Sequence, residues 1–128
     1  MKKLFITLSL SLLSLSAMAG DRWLLIAHND VALMYIDTET IRTQDNYKAA
    51  WVKYLVRKSK IKQQGHAELK VLTIFSCADN TFKPIQSIKY DLNGNPIGSW
   101  TEKTSDKFFQ EIIPESLSEF AYKFVCQQ

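Results

Sequence analysis

The segment YKAAWVKYLVR, running from Tyr47 to Arg57, decides the fold. Ala50, Val52, Tyr54 and Val56 recur at every second position. Successive side chains of a strand point to opposite faces, so these four share one buried side. Trp51, Lys53 and Arg57 fall on the other side, which is therefore partly wet. The next apolar stretch keeps the same rhythm, with Leu69, Val71, Thr73, Phe75 and Cys77 on one side of a strand from Leu69 to Cys77. The polar stretch between them, Lys58 to His66, contains Gly65 and reads as a long hairpin loop.

Toward the amino end, Trp23 to Ala27 is a short apolar run that stops at the turn signal His28-Asn29-Asp30. Val31 to Ile36 forms the following strand, with Leu33 and Tyr35 on one face. Asp37 to Thr40 is expected to start a single helical turn capped by Asp37. Gln44-Asp45-Asn46 turns the chain again.

Toward the carboxyl end, Ala78-Asp79-Asn80 is a turn and Thr81 to Asp91 a strand. Pro84 cannot donate to a ladder, which places it at an edge or a bulge. Asn93-Gly94-Asn95-Pro96 is a further turn. Gly98 to Thr104 and Lys107 to Ile112 read as short extended pieces. The chain then ends in a helix. Ser116 and Glu119 stand in the S-x-x-E spacing in which each side chain satisfies the other's free N–H. Leu117, Phe120, Ala121, Phe124 and Val125 recur at helical spacing and form one apolar stripe. These elements predict an α+β domain, an antiparallel sheet with a carboxyl-terminal helix laid on one face.

The first nineteen residues are expected to be a secretory signal peptide. Lys2 and Lys3 precede an apolar stretch from Leu4 to Met18, and Ala17-Met18-Ala19 offers the small residues that a leader peptidase reads. The apolar stretch is broken by Ser and Thr and falls short of the about 20 residues needed to span a bilayer. Cleavage after Ala19 leaves a single domain over residues 20–128 with no membrane span, in the periplasm, at the cell surface or secreted. The residues from Leu15 to Gly20 include no Cys to accept a lipid.

The leader carries two of the 16 Lys and Arg and none of the 13 Asp and Glu, so the mature part is close to neutral at +1. A nucleic-acid partner would call for a strongly basic surface, so none is expected. In an oxidising compartment the two cysteines, Cys77 and Cys126, are read as one structural disulfide. It closes a loop of roughly 50 residues, which stabilises by on the order of 4 kcal/mol in the chain-entropy account. Redox cysteines favour C-x-x-C spacing, and a metal site would need more ligands than His28 and His66 add. Neither a metal nor another cofactor is expected. The chain has no G-x-S-x-G elbow, no H-E-x-x-H pair and no glycine-rich phosphate loop, so it is read as non-enzymatic.

In this order the residues resemble the surface-adhesin protein E family of small exported bacterial proteins. The resemblance is carried by the leader, Trp23, Tyr35-Ile36-Asp37 with Thr40-Ile41-Arg42, Trp51 and Cys77. It continues through Trp100, the Pro114, Ser116 and Glu119 cap, and Val125-Cys126, covering the mature chain nearly end to end. It implies a six-stranded antiparallel sheet with a helix and a disulfide, and often a homodimer. It also implies attachment to host extracellular-matrix and serum proteins such as vitronectin, laminin and plasminogen. The alternative is a periplasmic housekeeping or inhibitor protein that binds another envelope protein.

Two groups of residues are candidates for partner binding. Arg57, Lys58, Lys60 and Lys62 form the one local cluster of charge, suited to an acidic partner, although such lysines also keep a loop solvated and a strand edge unpaired. Trp51 and Trp100 each sit among polar neighbours and are candidates for an exposed aromatic patch, although a strand Trp also covers the edge of a core.

Overall fold

The computed structural model describes residues 22–102 and 108–128. The expected leader and the beginning of the extended piece at Lys107 lie outside the described residues. The strands are β1 (Trp23–His28), β2 (Ala32–Asp37), β3 (Arg42–Gln44), β4 (Tyr47–Val56), β5 (Glu68–Ser76), β6 (Thr81–Tyr90), β7 (Pro96–Thr101) and β8 (Gln110–Glu111). A one-turn helix, α1 (Ile61–Gln64), precedes β5, and α2 (Leu117–Cys126) ends the chain.

All pairings are antiparallel, in the order β1-β2-β4-β5-β6-β7, with β3 added on β4 and β8 on β6. The expected six strands are therefore the main path of an eight-stranded sheet. The two extra strands are only three and two residues long, too short to show a periodicity.

β4 and β5 lie at the centre, which is why their alternation is the clearest. Ala50, Val52 and Val56 are buried from β4, and Val71, Thr73 and Phe75 from β5. The β2 side chains Met34 and Ile36 and the α2 side chains Ala121 and Val125 close the same core. This is the inner face of the sheet, and α2 packs there against β1, β4 and β5.

Three devices seat α2. The Cys77–Cys126 disulfide joins the end of β5 to the last helical residue. Tyr122 donates its hydroxyl proton to the Cys77 carbonyl at 2.7 Å and tilts its ring against Phe75, centroid to centroid 6.5 Å. The Ser116 hydroxyl accepts from the Glu119 N–H at 3.3 Å. The return half of the expected box is shifted by one residue. Glu119 accepts from the Glu115 N–H, because Glu115 takes a positive φ of 64° and the Ser116 N–H is already bonded to the Ile113 carbonyl. Phe120 belongs to the predicted stripe but stays exposed, since the helix touches the sheet along its Ala121–Val125 side.

Of three other segments, two differ in detail from their expected form and one matches it. Lys58 to Gly65 is an ordered 3-10 turn followed by α1 and stopped by Gly65 at φ 79°, where the missing Cβ removes the steric cost. Pro84 lies at a bulge as expected, where Leu72 faces Gln86 but Thr73 faces Pro84. Yet β6 is not an edge, because β8 pairs its first two residues and β7 pairs it from Gln86 onward. Pro84 falls in the gap between these two partners, opposite Thr73 of β5.

Asp37 caps a turn as read, though the turn is not helical. Its carboxylate accepts from the Glu39 N–H at 3.1 Å, the Thr40 hydroxyl at 2.9 Å and Arg22 at 2.7 Å. Burial pushes the Asp37 carboxyl upward, but the Arg22, Thr40 and Glu39 hydrogen bonds outweigh it and hold the group below the ordinary carboxylate range.

Replacing both Cys77 and Cys126 with Ala should lower unfolding stability by on the order of 4 kcal/mol in urea titration, with the sheet signal in circular dichroism retained. Asp37→Asn should melt below the parent at pH 7. The gap should be complete above the ordinary carboxylate value of 3.8 and close as the pH falls through the lower native one.

Candidate binding face

The face of the sheet opposite α2 has no second layer among the described residues. Residues paired directly across antiparallel strands share a face, so the register gives its rows. One row is Leu33, Leu55, Glu68 and Tyr90, and the next is Leu25, Tyr35, Lys53, Lys70 and Ile88. A third holds Trp51, Leu72, Gln86 and Thr101. A solvated sheet face usually alternates to polar residues. This one carries Leu, Ile, Trp and Tyr at most positions. Leu25 and Leu55 are 46% and 40% exposed, and the other apolar members are half-buried by one another. A hollow of about 230 Å³ opens toward one end, lined by Arg42, Tyr47, Ala49, Leu72, Ile74 and Ile85.

Two ammonium groups stand in the middle of this surface. Lys53 Nζ lies 4.7 Å from the centroid of the Trp23 ring and 4.9 Å from that of Tyr35. Lys70 Nζ lies 4.9 Å from the Tyr90 centroid and 5.7 Å from that of Trp23. The electron-rich ring faces attract the cations, and their alkyl stems cover apolar surface beneath.

The inner face offers a different feature. α2 leaves β6 and β7 uncovered, and a cleft of about 320 Å³ remains there, lined among others by Tyr54, Leu69, Val71, Phe82, Pro84 and Trp100. Burial in this apolar setting pushes the Tyr54 phenol up to about 12.

The sequence candidates are thus distributed over three places. Trp51 lies on the outer face beside the lysine pair, whereas Trp100 is 47% exposed at the rim of the inner cleft. The two tryptophans do not form one patch. Lys58 and Lys62 project from the turn before β5, with Lys60 half-buried between them. Arg57 is engaged within the molecule, donating to the Asn29 carbonyl at 2.8 Å and contacting His28 Nδ1 at 3.3 Å. Sequence reading did not single out Trp23, Tyr35, Lys53, Lys70 or Tyr90 as a group. The available signal was apolar and basic content on the supposedly wet face of both central strands. Among the described residues no three His, Cys, Asp or Glu side chains gather as a metal site.

A family model described as surface-adhesin protein E matches residues 23–127. The chain belongs to the surface-adhesin protein E family. No curated protein matches the chain. A solved structure, that of Haemophilus influenzae protein E, is similar to it with a TM-score of 0.57 at 15% identity, over 84% of this chain and 85% of that one. The adhesin E match runs from β1 through α2 and so takes in both faces of the sheet. Among the described residues of this adhesin E chain no helix is long and apolar enough to cross a membrane.

In a spectrophotometric titration, the Tyr54 phenol should ionise only near about pH 12, and Tyr54→Phe should abolish that late step.

Proposed function

We propose that this chain is an exported, non-enzymatic binding module that holds a protein partner on the outer face of its sheet. The observation that carries the reading is the outer face itself, a broad apolar surface with aromatic and basic residues at its centre and no covering layer among the described residues. Exposed apolar patches of this kind mark interaction sites in soluble proteins, and Trp, Tyr and Leu clusters desolvate readily against another protein. Membership of an adhesin family supports attachment rather than catalysis. Extracellular-matrix or serum proteins are the partners that the sequence resemblance implies. Export through the leader would bring the module to the envelope or the surface, where such partners are met.

The test is binding of the purified chain to immobilised vitronectin, laminin and plasminogen. Leu25→Asp and Leu55→Asp should each weaken capture at least tenfold, because they bring charge into the apolar contact. Substitutions at Lys58 and Lys62 should change it by much less. Unaltered capture by both leucine variants would remove the outer face as the contact. Protease treatment of intact cells should cleave the protein if it is displayed outside, and release by osmotic shock alone would replace surface attachment with an envelope partner.

A further inference from the structure

Lys53 and Lys70 are directly opposite each other on β4 and β5, the two central strands. Like charges at directly opposed positions destabilise a sheet, since their Cβ atoms lie only about 4.5–5.5 Å apart. Only one of the two charges has a carboxylate within ion-pair reach. Among the described residues no carboxylate lies within 4.0 Å of Lys53 Nζ, and Lys70 has only Glu68, at 3.9 Å. The nearby Asp37 carboxylate is committed to Arg22, Thr40 and the Glu39 N–H. Elsewhere lysines meet acids more closely, as Lys83 does Glu102 at 3.6 Å and Lys123 does Glu119 at 3.3 Å. The pair is instead steadied by the rings of Trp23, Tyr35 and Tyr90.

We infer that this lysine pair is a notch for a carboxylate, so that the protein partner presents an apolar surface with an acidic side chain at its centre. This rests on the outer face being the contact surface. The rings hold both ammonium groups at the middle of the face before a partner arrives, which reduces the ordering needed on contact. Once the surrounding leucines and aromatic rings exclude water, a single carboxylate between the two cations relieves their repulsion and is screened less than an exposed pair. The rim favours a protein over a glycan or a nucleic acid. Leu25, Leu33, Leu55 and Ile88 offer no hydrogen bonds to sugar hydroxyls or to a phosphate backbone. A second copy docking by the same face would oppose two lysine pairs, so the face is also unsuited to pairing with itself.

The experiment is an NMR titration of the purified chain with the peptide acetyl-Leu-Glu-Leu-amide and with its Gln counterpart. The Trp23 indole N–H and the Lys53 and Lys70 side-chain signals should shift saturably with the Glu peptide and bind the Gln peptide at least tenfold more weakly. Lys53→Met with Lys70→Met keeps the alkyl packing and should erase that difference. Equal response to both peptides would overturn the inference. So would saturation at Lys58 and Lys62, or tighter binding at the pair by a heparin-derived oligosaccharide or an oligo(dT) strand. On immobilised partners, loss of capture by Leu25→Asp with full capture by the double Met variant would overturn the lysine notch alone. Full capture by both would discard the outer face altogether.

Discussion

Everything in this fold depends on one contact, the burial of the Ala121 and Val125 side of α2 against Met34, Ile36, Ala50, Val52 and Phe75. A single sheet has two faces and can bury neither by itself. One helix of ten residues supplies the second layer for the inner face and for no more than that. The small side chains at Ala50 and Ala121 let the helix sit close, and the disulfide with the Tyr122 hydrogen bond prevents it from drifting along the sheet. Among the described residues the opposite face is left without a covering layer.

That division explains the placement of the proposed contact residues. The outer face is not part of the core that α2 closes, and it lies on the central strands of the sheet. Lys53 and Lys70 are held by strands paired on both sides. A binding surface built on central strands keeps its geometry in a way that loops do not. The inner cleft beside Trp100 arises from the same shortage of helix, where α2 ends its cover before β6 and β7.

The long strands, the terminal helix and the disulfide were legible from the sequence because each leaves a local signature. Period two over Tyr47 to Arg57 marks a strand with one buried face, and the spacing from Leu117 to Val125 marks a helix. β3 was hidden, because three residues carry no period and exist only through pairing with β4, while β8 lies within the extended piece read from Lys107 to Ile112 and only its pairing with β6 was illegible. The one-turn helix before β5 was hidden for a similar reason, as Gly65 signals a stop but not the form of what it stops. The outer face was half-legible. Trp51 and Lys53 could be assigned to one side of a strand, but that Lys70 stands against Lys53 depends on register, which alternation alone leaves open by any even shift. The Arg22 pairing with Asp37 joins residues 15 positions apart across a strand and a turn, and no motif announces it.

The Arg22 clamp also has a mechanical side. Arg22 enters β1 at an edge of the sheet, and its carbonyl accepts from both the Thr38 N–H and the Thr38 hydroxyl while its guanidinium grips Asp37. Tension drawn through the amino end of the domain therefore meets this knot before it reaches any rung of the β1–β2 ladder. At the other extremity, the covalent Cys77–Cys126 link carries a pull on the last residues straight into β5. A pull on either end of the domain would thus reach a reinforced point first, leaving the outer face of the sheet undistorted.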